Sequence, residues 1–227
     1  MSTMIVSRPG SRSGSPGPAR PNPFVGPVPY TATDADYFFG REYEAREVTE
    51  LLVAERAILL YSPSGAGKTS LIQARLIPAL EKRFDVRPTV RLGRERPGSE
   101  HSGPGRPNRY LESALRSLGW TGAGPLPVLR TYLDSLPVAA GKKAHVLIFD
   151  QFEEVFTLNP GDIAAKREFF QQLAKVLDPA QDLTDGKRPP ARYWALFAIR
   201  EEYLGALDLY LPLLPCRLTN FRLNLLD

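Results

Sequence analysis

The stretch "YSPSGAGKTS", residues 61–70, restricts this chain more than any other. An apolar run, Ala57-Ile58-Leu59-Leu60, leads into it, and Leu71-Ile72-Gln73-Ala74-Arg75-Leu76 leads out with helical character. A strand, a small-residue loop and a helix in that order make a phosphate cradle. Backbone N–H groups converge on the oxygens, and glycine is needed where a side chain would block the approach. The helix turns its partial positive end toward the anion. In the G-x-x-x-x-G-K-[ST] pattern the lysine reaches the β and γ phosphates and the hydroxyl serves Mg²⁺. Ser64, Gly65, Ala66, Gly67, Lys68, Thr69 and Ser70 are therefore the predicted nucleotide contacts, with Thr69 also a metal ligand.

Ser62 stands where that pattern has its first glycine. The position lies at the strand end, away from the closest approach of phosphate, and Pro63 biases it toward an extended shape. A small residue with negative φ fits there. Ser62→Gly is thus expected to change ATP affinity by less than about tenfold in a direct titration, a difference under 1.4 kcal/mol.

Two further buried strands follow. "AHVLIFD" (144–150) is a continuous apolar run closed by an acid, and "YWALFAIR" (193–200) a second one closed by an arginine. Such runs mark strands covered on both faces. Helices are predicted over Glu42 to Ala54, Lys68 to Lys82, Arg109 to Leu118, Leu126 to Ala139 and Asp162 to Leu177, with a short strand within Val86 to Leu92 and a turn capped by Thr33. Alternation of buried strands and helices predicts an α/β fold, a parallel sheet flanked by helices.

Ligands of open α/β sheets bind at the carboxyl ends of the strands. Asp150 is placed there as a second Mg²⁺ partner opposite Thr69. Glu153 and Glu154 follow closely enough for one of them to polarise an attacking water, with Glu153 preferred. Arg200 ends its strand at the same edge, where it either senses a terminal phosphate or pairs with Glu201 or Glu202. Phe39, Gly40 and Arg41, within "YFFGRE", offer a backbone pocket for a base or a capping turn.

Composition narrows the class. The net charge of +4 over 227 residues, with arginines concentrated in Pro/Gly-rich stretches, does not point to nucleic acid. No apolar run has the length of a membrane span. Cys216 is the single cysteine, which excludes an internal disulfide and fits a cytoplasmic chain. Residues 1–21, made of Ser, Pro, Gly and Arg, are expected to be a disordered tail, and 93–108 a flexible insertion within a core spanning 22–227.

Together, "NPF", "DADYFFGREYE", "SPSGAGKTSLIQARLIPAL", "NRYLESAL", "LIFDQFEEVFT" and "FAIREEYLGAL" resemble the novel STAND NTPases of bacteria, within the AAA+-like branch of P-loop proteins. The resemblance implies that the strand bearing Arg200 lies between the phosphate-loop strand and the Asp150 strand. It implies an ATP/ADP- and Mg²⁺-dependent switch with slow hydrolysis, working as a homo-oligomer or with a protein partner that supplies sensor or effector functions. The family continues into a helical lid and a winged-helix region, expected to be missing or truncated here. Two other readings are a pseudo-NTPase scaffold and an ATPase subunit using an in-trans arginine finger, for which Arg75 or Arg109 would serve.

Overall fold

The computed structural model describes residues 28–93, 107–122, 124–142, 144–178 and 192–226. The expected tail and nearly all of the expected insertion lie outside them. The chain begins with a 3-10 turn, Ala32–Tyr37, capped by Thr31 rather than Thr33. Asp34 sits three residues into that turn and closes a reciprocal capping box with Thr31.

Helix α1 (Glu42–Glu55) leads to strand β1 (Ala57–Ser62). After the phosphate loop come α2 (Lys68–Leu71), a π-helical stretch Ile72–Leu76 and α3 (Ile77–Leu80), end to end. The predicted helix is present there, with a change of winding in its middle. Strand β2 is only Asp85–Val86, and Val90 makes one further bridge to Phe149. The Arg87 N–H bonds the Val146 carbonyl and the next bond, to the Ile148 carbonyl, comes from Val90, so one extra residue breaks the regular register and ends the strand.

Helices α4 (Arg109–Ser117) and α5 (Leu129–Ser135) follow. Asn108 caps α4 by accepting from the N–H groups of Tyr110 and Leu111. Helix α5 is shorter than predicted: Pro127 disfavours helix before it and Pro137 does the same to Leu136. Strand β3 (Ala144–Phe149), α6 (Glu154–Thr157), α7 (Ile163–Leu177), β4 (Arg192–Arg200), α8 (Leu204–Asp208) and β5 (Thr219–Arg222) complete the chain.

All pairings are parallel, and the order is β2-β3-β4-β1-β5. Strand β4 thus lies between β1 and β3, with Ser62 opposite Arg200 and Phe149 opposite Phe197. Alternate strand residues face opposite layers. Ile58, Leu60, Ile148 and Ala198 pack with Val48, Leu52, Leu71 and Leu76 on one face. Leu59, Leu147, Phe149 and Phe197 pack with Tyr110, Leu133 and Phe169 on the other. Burial on both faces is why these strands read as unbroken apolar runs. Among the described residues no helix is long and apolar enough to cross a membrane.

Candidate functional site

The carboxyl ends of β1, β4 and β3 bring the predicted residues to one edge of the sheet. At the end of β1 the chain turns through Gly65 and Gly67, with φ +80° and +87°. A Cβ added at either glycine would meet nothing within 4 Å. Backbone conformation, not crowding, therefore requires glycine, and the space over the loop is open for an anion. Ser62 is fully buried and is not in the left-handed region. The negative-φ condition for tolerating it is met.

Ser62 also has a use. Its hydroxyl accepts from Lys68 Nζ at 2.6 Å and donates to the Pro63 carbonyl at 2.9 Å. Lys68 thus rests along the root of its own loop. Burial pulls its pKa below the usual lysine value; the Glu153 and Asp150 carboxylates oppose this, and Arg200 adds to the lowering. The Thr69 hydroxyl donates to Asp150, 3.0 and 3.2 Å from its two oxygens. Asp150 is 3% exposed, and burial raises its pKa against the Thr69 hydrogen bond and the nearby Arg91 charge. A hydroxyl and a buried carboxylate facing each other beside an open glycine cradle are the donor set that suits Mg²⁺ with a phosphate.

The two glutamates are divided between different neighbours. Glu153 Oε1 lies 3.0 Å from Arg200 Nε, and Oε2 accepts the Arg200 N–H at 3.3 Å. Glu201 pairs instead with Arg222, at 3.1 Å. Glu154 is committed elsewhere: Oε1 accepts from Arg91 Nη2 at 2.8 Å, and Oε2 accepts the Gly93 N–H at 2.6 Å. A Cβ on Gly93 would come within 3.0–3.2 Å of that carboxylate, tight enough to displace it by a few tenths of an ångström.

Arg91 and Gln151 are the site residues that sequence reasoning missed. Arg91 reaches Gln151, Glu154 and, at 3.7 Å, Asp150. Its backbone carbonyl accepts from Ser113 and Ser117 of α4, at 2.7 and 3.2 Å. The signal that found Arg200, an arginine closing a strand, was hidden because β2 ends at Val86 and only the single bridge of Val90 precedes Arg91. Gln151 has φ +54°, the left-handed region for a non-glycine residue directly after Asp150. Such conformations cost about 1–3 kcal/mol and persist where surrounding contacts impose them. Here the next N–H, that of Phe152, is tied to the Ala198 carbonyl at 2.8 Å.

The amino-terminal segment meets the loop from the side. Arg41, only 2% exposed, donates to the Ala66 carbonyl at 3.2 Å and the Asn224 carbonyl at 2.6 Å, and pairs with Glu44. It holds the phosphate loop to the chain after β5. Phe39 is 69% exposed, and Gly40 has φ +81°. The Ser70 hydroxyl accepts the Tyr30 N–H. Arg75 bonds the Phe38 carbonyl and Glu42, so it serves this internal junction rather than standing free as a finger.

With this geometry in hand, comparison places the chain. A family model described as Novel STAND NTPase 1 matches residues 23–221. No curated protein matches the chain in sequence. Among solved structures it is similar to a Walker-type ATPase of Pyrococcus abyssi, with 17% identity and a TM-score of 0.52, over 89% of this chain and 57% of that one. The ADP form of the Aeropyrum pernix ORC2 protein matches at 16% identity and TM-score 0.49, over 82% of this chain and 49% of that one. AMPPCP-bound DnaA from Aquifex aeolicus matches at 18% identity and TM-score 0.44, over 87% and 51%. The chain thus spans about half the length of these proteins, from 49% to 57%, and likeness at such identities is one of fold.

Proposed function

The chain belongs to the novel STAND NTPase 1 family, and from that premise we propose that it is an ATP-binding switch module with slow Mg²⁺-dependent hydrolysis. The Glu153–Arg200 pair carries this reading. A guanidinium at the end of β4 has two possible anionic partners, the Glu153 carboxylate or a terminal phosphate in the cradle. Exchange between them gives ATP and ADP different contacts with the protein, which any nucleotide-driven conformational change requires.

The residues divide the work as follows. Backbone N–H groups of Ser64 through Ser70 hold phosphate oxygens, and Lys68 leaves Ser62 to meet the terminal phosphates. Thr69 and Asp150 would hold Mg²⁺, which when bound supplies charge stabilisation to the leaving and attacking oxygens. Glu153 takes a proton from water once Arg200 releases it, so turnover is slow while the pair is closed. Phe39, Gly40 and Arg41 flank the base. The output is a change of conformation or oligomeric state read by a protein partner.

The test is nucleotide content and affinity. Purified protein is denatured, any released nucleotide is identified, and ATP and ADP are titrated with Mg²⁺ against Lys68→Ala. A charge-assisted hydrogen bond is worth about 1.5–3 kcal/mol, so the variant should bind at least about tenfold more weakly. Equal affinity in both proteins, or none in the native chain, would overturn the reading.

A further inference from the structure

Between α6, α7 and the chain after α8 lies a groove of about 530 Å³, lined by none of the residues of the phosphate cradle. Phe156 of α6 and the first turns of α7, with Ile163, Lys166 and Arg167, line one side. Leu209 and Tyr210, just after α8, line the other. Its floor is aromatic: Tyr210 stacks on Phe170 at 4.7 Å and lies 5.9 Å from Phe156. Its rim is apolar and open, with Ile163 65% and Leu209 77% exposed. Large apolar side chains gathered at a concave site mark binding rather than chance exposure.

Charge specifies the occupant. Lys166 is 3% exposed, and its amine donates to the Pro160 carbonyl at 3.0 Å. Arg167, beside it on α7, is exposed. No carboxylate among the described residues comes within ion-pair distance of either cation, although Lys166 feels the charge of Asp162. Size decides between a small ligand and a protein. The volume falls within the roughly 300–1,000 Å³ of small-molecule pockets, whereas a stable protein interface needs about 800 Å² and 20–30 residues from each partner.

We propose that this groove binds a small apolar monoanion, of the medium-chain carboxylate class, and that its occupancy is felt at the Glu153–Arg200 pair. Both walls are rooted there. Phe156 is three residues after Glu153 in one short turn, and the chain carrying Leu209 and Tyr210 starts at Arg200. Phe152 joins them through contacts to Phe156, Phe170 and Phe197. A ligand wedged between the walls shifts the balance of the pair, and by linkage nucleotide shifts ligand affinity by the same factor. This second part rests on the switch reading above.

The test is calorimetric titration of the full chain with decanoate below its micelle-forming concentration, with decanol as the uncharged probe. One saturable site is expected, tighter for decanoate by about fivefold or more, a modest charge-assisted preference. Leu209→Asp and Arg167→Glu change exposed side chains and leave the fold intact; each should weaken decanoate by about tenfold through lost apolar contact or repulsion of the carboxylate. No binding, or binding indifferent to both variants, would overturn the site and leave a protein segment as the groove's occupant. Saturating decanoate should also change ADP affinity by about threefold or more, within the ordinary range of coupling; an unchanged affinity would sink the link. Were nucleotide not to bind at all, the switch reading would fail while the decanoate titrations still decided the site.

Discussion

Glu153→Gln is expected to lower single-turnover ATP hydrolysis by about 10²–10⁴-fold, the contribution of a positioned general base, and to leave ATP affinity within a few-fold. Glu154→Gln should give the opposite pattern, with hydrolysis largely kept and thermal stability reduced. The difference follows from what each carboxylate holds. Both Glu154 oxygens are occupied by Arg91 and the Gly93 N–H, on a segment that is itself fastened to α4 through Ser113 and Ser117. An amide keeps one acceptor and turns the other toward a donor, leaving a bond broken in a part-buried site. Glu153 has only Arg200 to release: the Arg200 side chain is 47% exposed and can turn away, while the Glu153 side chain, 6% exposed, is left as a buried carboxylate that favours taking up a proton. If Glu154→Gln abolished hydrolysis while Glu153→Gln retained it, the roles would have to be exchanged.

The strands that carry the chemistry were legible because burial on both faces leaves no alternative composition. "AILL", "VLIF" and "WALFAI" are apolar throughout, and the polar residue ending each strand is at the site edge. Strand β5 was missed for the converse reason. At the sheet's edge, Thr219–Arg222 buries only Phe221, and "TNFR" resembles a loop. The glycine loop was legible because two left-handed positions leave glycine little competition. The separation of Glu153 from Glu154 was not, since adjacent carboxylates differ only in what other segments bring to them. Arg91, Gly93 and Arg200 are all distant in sequence from that pair. Arg41 was placed near the nucleotide, yet its burial against Ala66 and Asn224 depends on a contact across 183 residues. The π-helical turn Ile72–Leu76 left no local trace either; within it Gln73 donates to Thr89 at 3.1 Å.

Asp150→Asn is expected to stabilise the nucleotide-free protein while lowering Mg²⁺-dependent hydrolysis by about 10²–10³-fold, the several kcal/mol that a correctly held metal supplies. The stabilisation follows from the sign of the shift. Burial raises the Asp150 pKa above its unfolded value of about 3.9, so the folded chain binds this proton more tightly than the unfolded one. Stability from this group is fully present below the unfolded pKa and is lost as pH rises through the folded pKa. At neutral pH the ionised side chain therefore opposes folding, despite the Thr69 hydrogen bond and the Arg91 charge. A neutral amide removes that opposition. In metal-free buffer at pH 7, Tm should rise by about 2–4 °C for each kcal/mol recovered in a chain of this size. The advantage should shrink as pH falls through the folded pKa, where native Asp150 takes up a proton of its own. A lower Tm for Asp150→Asn at pH 7 would mean that its bonds to Thr69 and Arg91 outweigh burial. The native acid would then be a structural anchor, and the raised carboxylate could no longer be read as a group kept under strain for a cation.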